Sequence, residues 1–168
     1  MELTPIHAKD MQFMKEALQV AERSKCLRDR GRARYGAVII DPDGFSVTNA
    51  YNGKPCGSQC DEVCFREGLP PNAPKANCCV HAETNAVIIA GRTRCKGGTM
   101  YCTEVPCIDC FLNVANAGIH RICYLHNGTK RSSGYEDALF EAYIRYKLPI
   151  KLTRFTFTEW ELIFGATR

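Results

Sequence analysis

The chain has no apolar run approaching the roughly 20 residues that a membrane-spanning helix needs. Its first residues, Met1-Glu2-Leu3-Thr4-Pro5, have none of the basic-then-apolar character of a secretory signal. A cytoplasmic location without a membrane partner is therefore expected. Tryptophan is nearly missing, with Trp160 alone in the tail, and the surplus of positive charge is only +4. A groove for RNA or single-stranded DNA needs concentrated basic charge and stacking aromatics. No nucleic-acid partner is expected, whereas the small surplus suits an anionic small molecule. Internal repeats and low-complexity segments are also absent, so the 168 residues are expected to form a single domain with a real core. Cysteine, by contrast, is abundant. Eleven cysteines cannot all pair within one chain, and in a reducing compartment such a count points to metal ligation before disulfides.

Two short stretches carry the chemistry, His81-Ala82-Glu83 and Pro106-Cys107-Ile108-Asp109-Cys110. A zinc-dependent base deaminase holds Zn²⁺ with one histidine and two cysteines, and a glutamate two residues after the histidine moves protons without binding the metal. Cys107 and Cys110 are three apart, so a helix beginning at Pro106 would aim both thiolates at one point from its first turn. The helix dipole and the metal both favour thiolate there. His81 and Glu83 can reach the same point if they lie at a helix start. Three protein ligands leave a fourth position for water, and Glu83 is the candidate catalytic acid and base. The rival reading is a closed structural zinc site, which needs a fourth ligand and has no use for Glu83.

Along the chain, Met11, Met14, Ala17, Leu18 and Ala21 recur at helical spacing, predicting an amphipathic helix from Ala8 to Arg28. The basic stretch around Arg28, Arg30, Arg32 and Arg34 reads as a solvated turn or as a phosphate-binding patch. A buried strand is expected over Tyr35–Ile40, then a turn at Asp41-Pro42-Asp43-Gly44 and a second strand from Phe45 to Tyr51. Cysteine and proline crowd the insert at about 52–79. Helical spacing resumes at His81 and stops at Gly91. Strand 98–103, helix 108–117 and strand 121–125 form a parallel crossover. A helix over 135–145 and short apolar segments at 150–152 and 155–157 follow. The tail residues Trp160, Leu162, Ile163 and Phe164 pack on the core or on a second subunit.

Cys60 and Cys64, with Cys26 and Cys79, supply four thiolates for a second, structural zinc that would fix the long loop. Cys56 and Cys78 are alternative members, and buried free thiols are the competing explanation.

Tyr51-Asn52-Gly53-x-Pro55, Cys60-Asp61-Glu62, Val80-His81-Ala82-Glu83-x-Asn85-Ala86, Gly98-x-x-Tyr101-x-Thr103, Pro106-Cys107-x-x-Cys110 and Ala117-Gly118-Ile119 together resemble deoxycytidylate deaminases of bacterial and phage type. The resemblance covers residues 10 to 126, with Val105 standing where the family usually has serine. It implies the cytidine-deaminase-like α/β fold, three layers α-β-α around a mixed five-stranded sheet. It implies hydrolysis of dCMP to dUMP and ammonia, with the Asn52 side chain holding substrate, the backbone around Ala82 reading the pyrimidine and Tyr124 lining the pocket. Asn52 could instead cap the turn at Gly53, and Tyr124 could be ordinary strand packing. Several family members carry a second zinc held partly by the cysteine at position 26, which favours Cys26, Cys60 and Cys79. Family members are often hexamers activated by dCTP and inhibited by dTTP. Mg²⁺ would accompany such a triphosphate, and Arg92 matches a position linked to regulation and subunit contact. As a bare side chain, Arg92 is also a cation well placed at a helix C-terminus.

Overall fold

A computed structural model describes residues 3–26, 33–58 and 79–156. In chain order the elements are helix α1 (Ala8–Ala21), strands β1 (Gly36–Ile40) and β2 (Ser46–Tyr51), helices α2 (Ala82–Ala90) and α3 (Arg92–Cys95), strand β3 (Thr99–Cys102), helix α4 (Ile108–Asn116), strand β4 (Arg121–His126), helix α5 (Lys130–Tyr146) and strand β5 (Lys151–Thr156). The five strands form one sheet in the order β2-β1-β3-β4-β5. β1 runs antiparallel to both β2 and β3, while β3, β4 and β5 are mutually parallel. The sheet is therefore mixed, as expected.

Strand side chains alternate between faces, and the two sets meet different helices. Val38, Ile40, Tyr101, Cys123 and Leu125 cluster with Met14 and Ala17 of α1. Their neighbours Ala37, Ile39, Met100, Cys102, Ile122 and Tyr124 cluster with Ala86 of α2, Phe111 of α4 and Leu139 of α5. β1 is buried along its whole length because both faces are covered, which is why it reads as an unbroken apolar run. α1 approaches the sheet closely at Gly36, where an added Cβ would lie 2.0 Å from the Ala17 carbonyl oxygen.

Several boundaries differ from the sequence expectation. α1 stops at Ala21, not Arg28. Ser24 ends it by turning its hydroxyl onto the Asn52 carbonyl at 2.7 Å and accepting the Cys26 N–H, a side-chain alternative to helical bonding. Among the basic residues, Arg34 is exposed, and Arg28, Arg30 and Arg32 lie outside the described residues. α5 begins at Lys130 rather than Tyr135, because Thr129 caps it by accepting the Ser132 N–H and so offsets the poor helix formers Ser132, Ser133 and Gly134. The short α3 follows Gly91 without having been foreseen, and one strand, β5, replaces the two C-terminal segments. The tail cluster around Trp160 lies outside the described residues.

Candidate active site

Two helix starts converge. His81 is the N-cap of α2 and Cys107 the N-cap of α4, both with extended backbone. α4 starts at Ile108, where the helix expected over 108–117 also starts, two residues after Pro106. Cys107 and Cys110 occupy the N-cap and N3 positions, whose side chains face each other across the first turn, as in a capping box. β3 delivers α4 to the site through Thr103-Glu104-Val105-Pro106, while an isolated pairing of Gly53 with Val80 sets His81 in place.

His81 Nδ1 lies 3.4 Å from Cys107 Sγ and 3.3 Å from Cys110 Sγ. A tetrahedral zinc with Zn–N near 2.0 Å and Zn–S near 2.3 Å separates its nitrogen and sulfur donors by about 3.5 Å. The donor set therefore fits Zn²⁺. Among the described residues the cluster comprises these three side chains and no fourth donor. Glu83, in the first turn of α2, is buried behind them.

The electrostatics suit a cation. The Cys107 thiol is pushed down to about 4, chiefly by a hydrogen bond from Cys110 and also by His81, against the cost of burial. Cys110, holding the shared proton, is correspondingly raised by Cys107 and by burial. The pair thus keeps one thiolate readily, and a metal ion would ionise the second. His81 is raised by its bond to Cys107, against desolvation, with Glu83 adding to the rise and the charge of Arg131 opposing it. Burial lifts the Glu83 carboxyl, against the pull of its own backbone N–H and of His81. A carboxyl moved toward neutrality both accepts and returns protons efficiently. The cleft over this centre has a volume of about 260 Å³, and Pro55, Cys79, Val80, Thr84 and Asp109 complete its lining.

The other candidates are distributed more widely. Ala82 is buried at the first position of α2. The Asn52 side chain is already engaged, with Oδ1 accepting the Tyr35 N–H at 2.8 Å and Nδ2 donating to the Ala33 carbonyl at 2.9 Å. It ties the start of β1 to the end of β2. Tyr124 is fully buried, and its hydroxyl donates to Glu136 at 2.6 Å. It is not among the residues lining the cleft. Arg92 is exposed in the first turn of α3 and does not end α2. Of the second cysteine group, Cys26 is buried and Cys79 half-buried in the cleft wall, while Cys60 and Cys64 lie outside the described residues.

Sequence reasoning missed Thr84, whose hydroxyl lies 3.5 Å from Cys110 Sγ. It also missed buried Glu104, which accepts from the Val105 N–H, the Asn127 amide and the Ser132 hydroxyl. A carboxylate in the otherwise apolar approach to Pro106 was the available signal.

Zinc deaminases of nucleobases combine this donor set with a glutamate that does not ligate, and the likeness extends well beyond the site. Residues 7–126 match the family model for the cytidine and deoxycytidylate deaminase zinc-binding region, and the chain belongs to that family of zinc-binding deaminases. It is 33% identical to the deoxycytidylate deaminase of Mycobacterium phage D29 over 68% of this chain and 92% of that one. Against that of Enterobacteria phage T2 the identity is 30%, over 75% and 84%. The Saccharomyces cerevisiae deoxycytidylate deaminase is 31% identical over 89% of this chain, which spans only 46% of the yeast protein. Among solved structures, the apo dCMP deaminase of cyanophage S-TIM5 has the same fold, with a TM-score of 0.63 at 23% identity, over 89% of this chain and 100% of that one. A structure from work on A-to-I editing by tRNA:A34 deaminases has a TM-score of 0.57 at 22% identity, over 88% and 100%.

Proposed function

We propose that the protein hydrolyses dCMP to dUMP and ammonia. The observation that carries this reading is the meeting of His81, Cys107 and Cys110 at one point with Glu83 buried beside them. The deoxycytidylate deaminases of the two phages, matched over most of their length, supply the substrate. His81, Cys107 and Cys110 would hold Zn²⁺, which when bound brings the pKa of a water to about 7. Glu83 takes the proton of the water that adds to C4 of the pyrimidine and passes it to N3. It then carries a proton to the departing amine, so that ammonia leaves and the C4 carbonyl forms. The backbone N–H of Ala82, at the first position of α2, would read the pyrimidine. Thr84 steadies Cys110.

The test is a parallel assay of dCMP, dCTP, cytidine and a tRNA anticodon stem with the zinc-loaded protein. Release of ammonia from dCMP in preference to the others is expected, and preference for any other substrate overturns the reading.

The protein is one domain that includes the insert, acts in the cytoplasm and assembles as a homo-oligomer, on the family pattern a hexamer. The same pattern supports regulation by dCTP and dTTP, with Mg²⁺ carried by the triphosphate and Arg92 at the effector or subunit contact. A flat response of activity to both nucleotides removes that part. A second zinc at Cys26, Cys60, Cys64 and Cys79 is supported by the chain path. Ser24 bonds both the Cys26 N–H and the Asn52 carbonyl, and Gly53 pairs with Val80 next to Cys79. Elemental analysis should then give two zinc ions per chain, and one ion removes the second site.

A further inference from the structure

The two helix starts that meet at the donor cluster are built alike. His81 is the N-cap of α2 and Thr84 stands three residues on, while Cys107 is the N-cap of α4 and Cys110 stands three residues on. N-cap and N3 side chains face each other across a first turn, so α2 brings two side chains to the centre. One is the His81 imidazole, with Nδ1 3.3 Å from Cys110 Sγ. The other is the Thr84 hydroxyl, 3.5 Å from the same sulfur, a hydrogen-bond length for an atom as large as sulfur.

In the bare chain either partner can supply the proton of this bond. A cysteine that ligates a metal is a thiolate with no proton to give, so in the metal-loaded site the hydroxyl is the donor. A hydrogen bond to an ionised acceptor is shorter and stronger than one between neutral groups. The two sulfurs differ in how they are served. Cys107 Sγ accepts the Cys110 backbone N–H, which any residue at position 110 would supply. Beside Cys110 Sγ, His81 and Cys107 are members of the donor cluster, and Thr84 is the hydroxyl that reaches it from outside the cluster.

The hydroxyl has no competing task in its own helix. A threonine within a helix is a poor helix former and often turns its hydroxyl back onto a carbonyl of the preceding turn. Thr84 makes no such bond among the described residues, and its bond crosses to α4 instead. The next residue, Asn85, is engaged elsewhere, donating to the Tyr51 carbonyl at 2.9 Å. Thr84 is half-buried in the cleft wall, and Cys110 is buried.

We propose that Thr84 is a positioning residue of the metal centre, whose hydroxyl donates to Cys110 Sγ, aims that sulfur at the point shared with His81 and Cys107, and so sets how tightly the site holds its divalent ion. This rests on the zinc reading of the cluster and not on the choice of substrate. A hydrogen-bonding partner behind a metal ligand is worth about 10- to 100-fold in metal affinity.

The experiment measures zinc affinity by competition with a chromophoric chelator for wild type, Thr84→Ser, Thr84→Ala and Thr84→Val, with Cys110→Ser as the reference that lacks this site. Ala and Val both remove the hydroxyl but differ in volume, and Ala is the better helix former. Kd for zinc should rise about 10- to 100-fold in the Ala and Val proteins, while Ser stays within about threefold of wild type. Loading with Co²⁺ gives a second readout, because the thiolate-to-cobalt absorption moves to longer wavelength when a sulfur loses a hydrogen bond. Ala and Val should show that shift, and Ser should not. Equal affinities in all four proteins, or losses that follow side-chain volume so that Val resembles wild type and Ser resembles Ala, overturn the assignment. A raised KM for dCMP with unchanged zinc affinity also overturns it, since Thr84 would then serve the substrate. Wild type that takes up no zinc at this site overturns the metal reading and the assignment together, whereas zinc-loaded wild type that does not deaminate dCMP overturns the dCMP reading alone.

Discussion

Glu83 and Asn52 are two buried polar side chains with different surroundings. Glu83 is buried beside two sulfurs and an imidazole, and burial holds its carboxyl high. On the proposed mechanism Glu83→Gln keeps the shape and removes the proton carrier, so kcat should fall by about 10²- to 10⁴-fold with zinc content unchanged. Turnover that survives the substitution would remove Glu83 from its role. Its position beside the donor cluster is legible in the sequence because histidine and glutamate two apart, and cysteines three apart, are local patterns that helix starts convert directly into geometry. Asn52 is different. Its partners, Ala33 and Tyr35, lie 19 and 17 residues away, and no spacing rule announces them. Asn52→Ala strands the Tyr35 N–H and the Ala33 carbonyl, and an unsatisfied buried group costs about 1–3 kcal/mol. Urea unfolding should show a loss of that order. A raised KM without any loss of stability would instead mean that the amide is free to hold substrate.

At the scale of elements, α1 is fastened by a close approach and by a buried ion pair. Gly36 lets β1 come against the Ala17 carbonyl, and a methyl group there would collide with backbone rather than with a yielding side chain. Gly36→Ala should destabilise the fold by about 1–3 kcal/mol through overpacking, read as a lower unfolding midpoint. A neutral result would mean that α1 can slide on the sheet. At the other end of α1, Asp10 accepts from Arg121 at 2.8 Å and from the Tyr101 hydroxyl at 2.7 Å. Burial pushes the Asp10 carboxyl up, but Arg121, the His7 N–H and Tyr101 together hold it below its ordinary 3.8. A carboxyl lowered by folding contributes stability that is complete above its unfolded value and lost as pH falls through the folded one. Asp10→Asn should therefore reduce stability at pH 7 and flatten its decline below about pH 4. An unchanged acid limb would sink that account. The strands and most helices could be read from periodicity, since a sheet covered on both faces imposes apolar runs and helices impose a period of 3.6 residues. The early stop of α1 and the early start of α5 could not. Both depend on single hydroxyls, Ser24 and Thr129, whose capping choice is decided by what the folded chain brings near them.

For the whole molecule, an ion held by the three donors would also be a long-range cross-link. His81 opens α2 and Cys107 and Cys110 open α4, so one ion would fasten together two helices that pack on the same face of the sheet. The Cys107 thiolate is supported by hydrogen bonds from the Cys110 thiol and backbone N–H and by His81, against the cost of burial, and a bound cation would add to that support. Zinc that binds the folded chain and not the unfolded one adds about 2.7 kcal/mol at a hundredfold excess over its dissociation constant. For a chain of this size that corresponds to a melting shift of about 5–10 °C. Chelation should lower the melting temperature by that amount, and added zinc should restore it. Cys110→Ser should melt near the chelated wild type and respond little to chelator. The shift should also shrink in acid, because His81 and both thiols must lose protons to bind the ion. Equal melting with and without chelator, in protein shown by elemental analysis to have lost its zinc, would mean that the two helix starts hold together without the ion. The cluster would then serve the chemistry alone and contribute nothing to the fold.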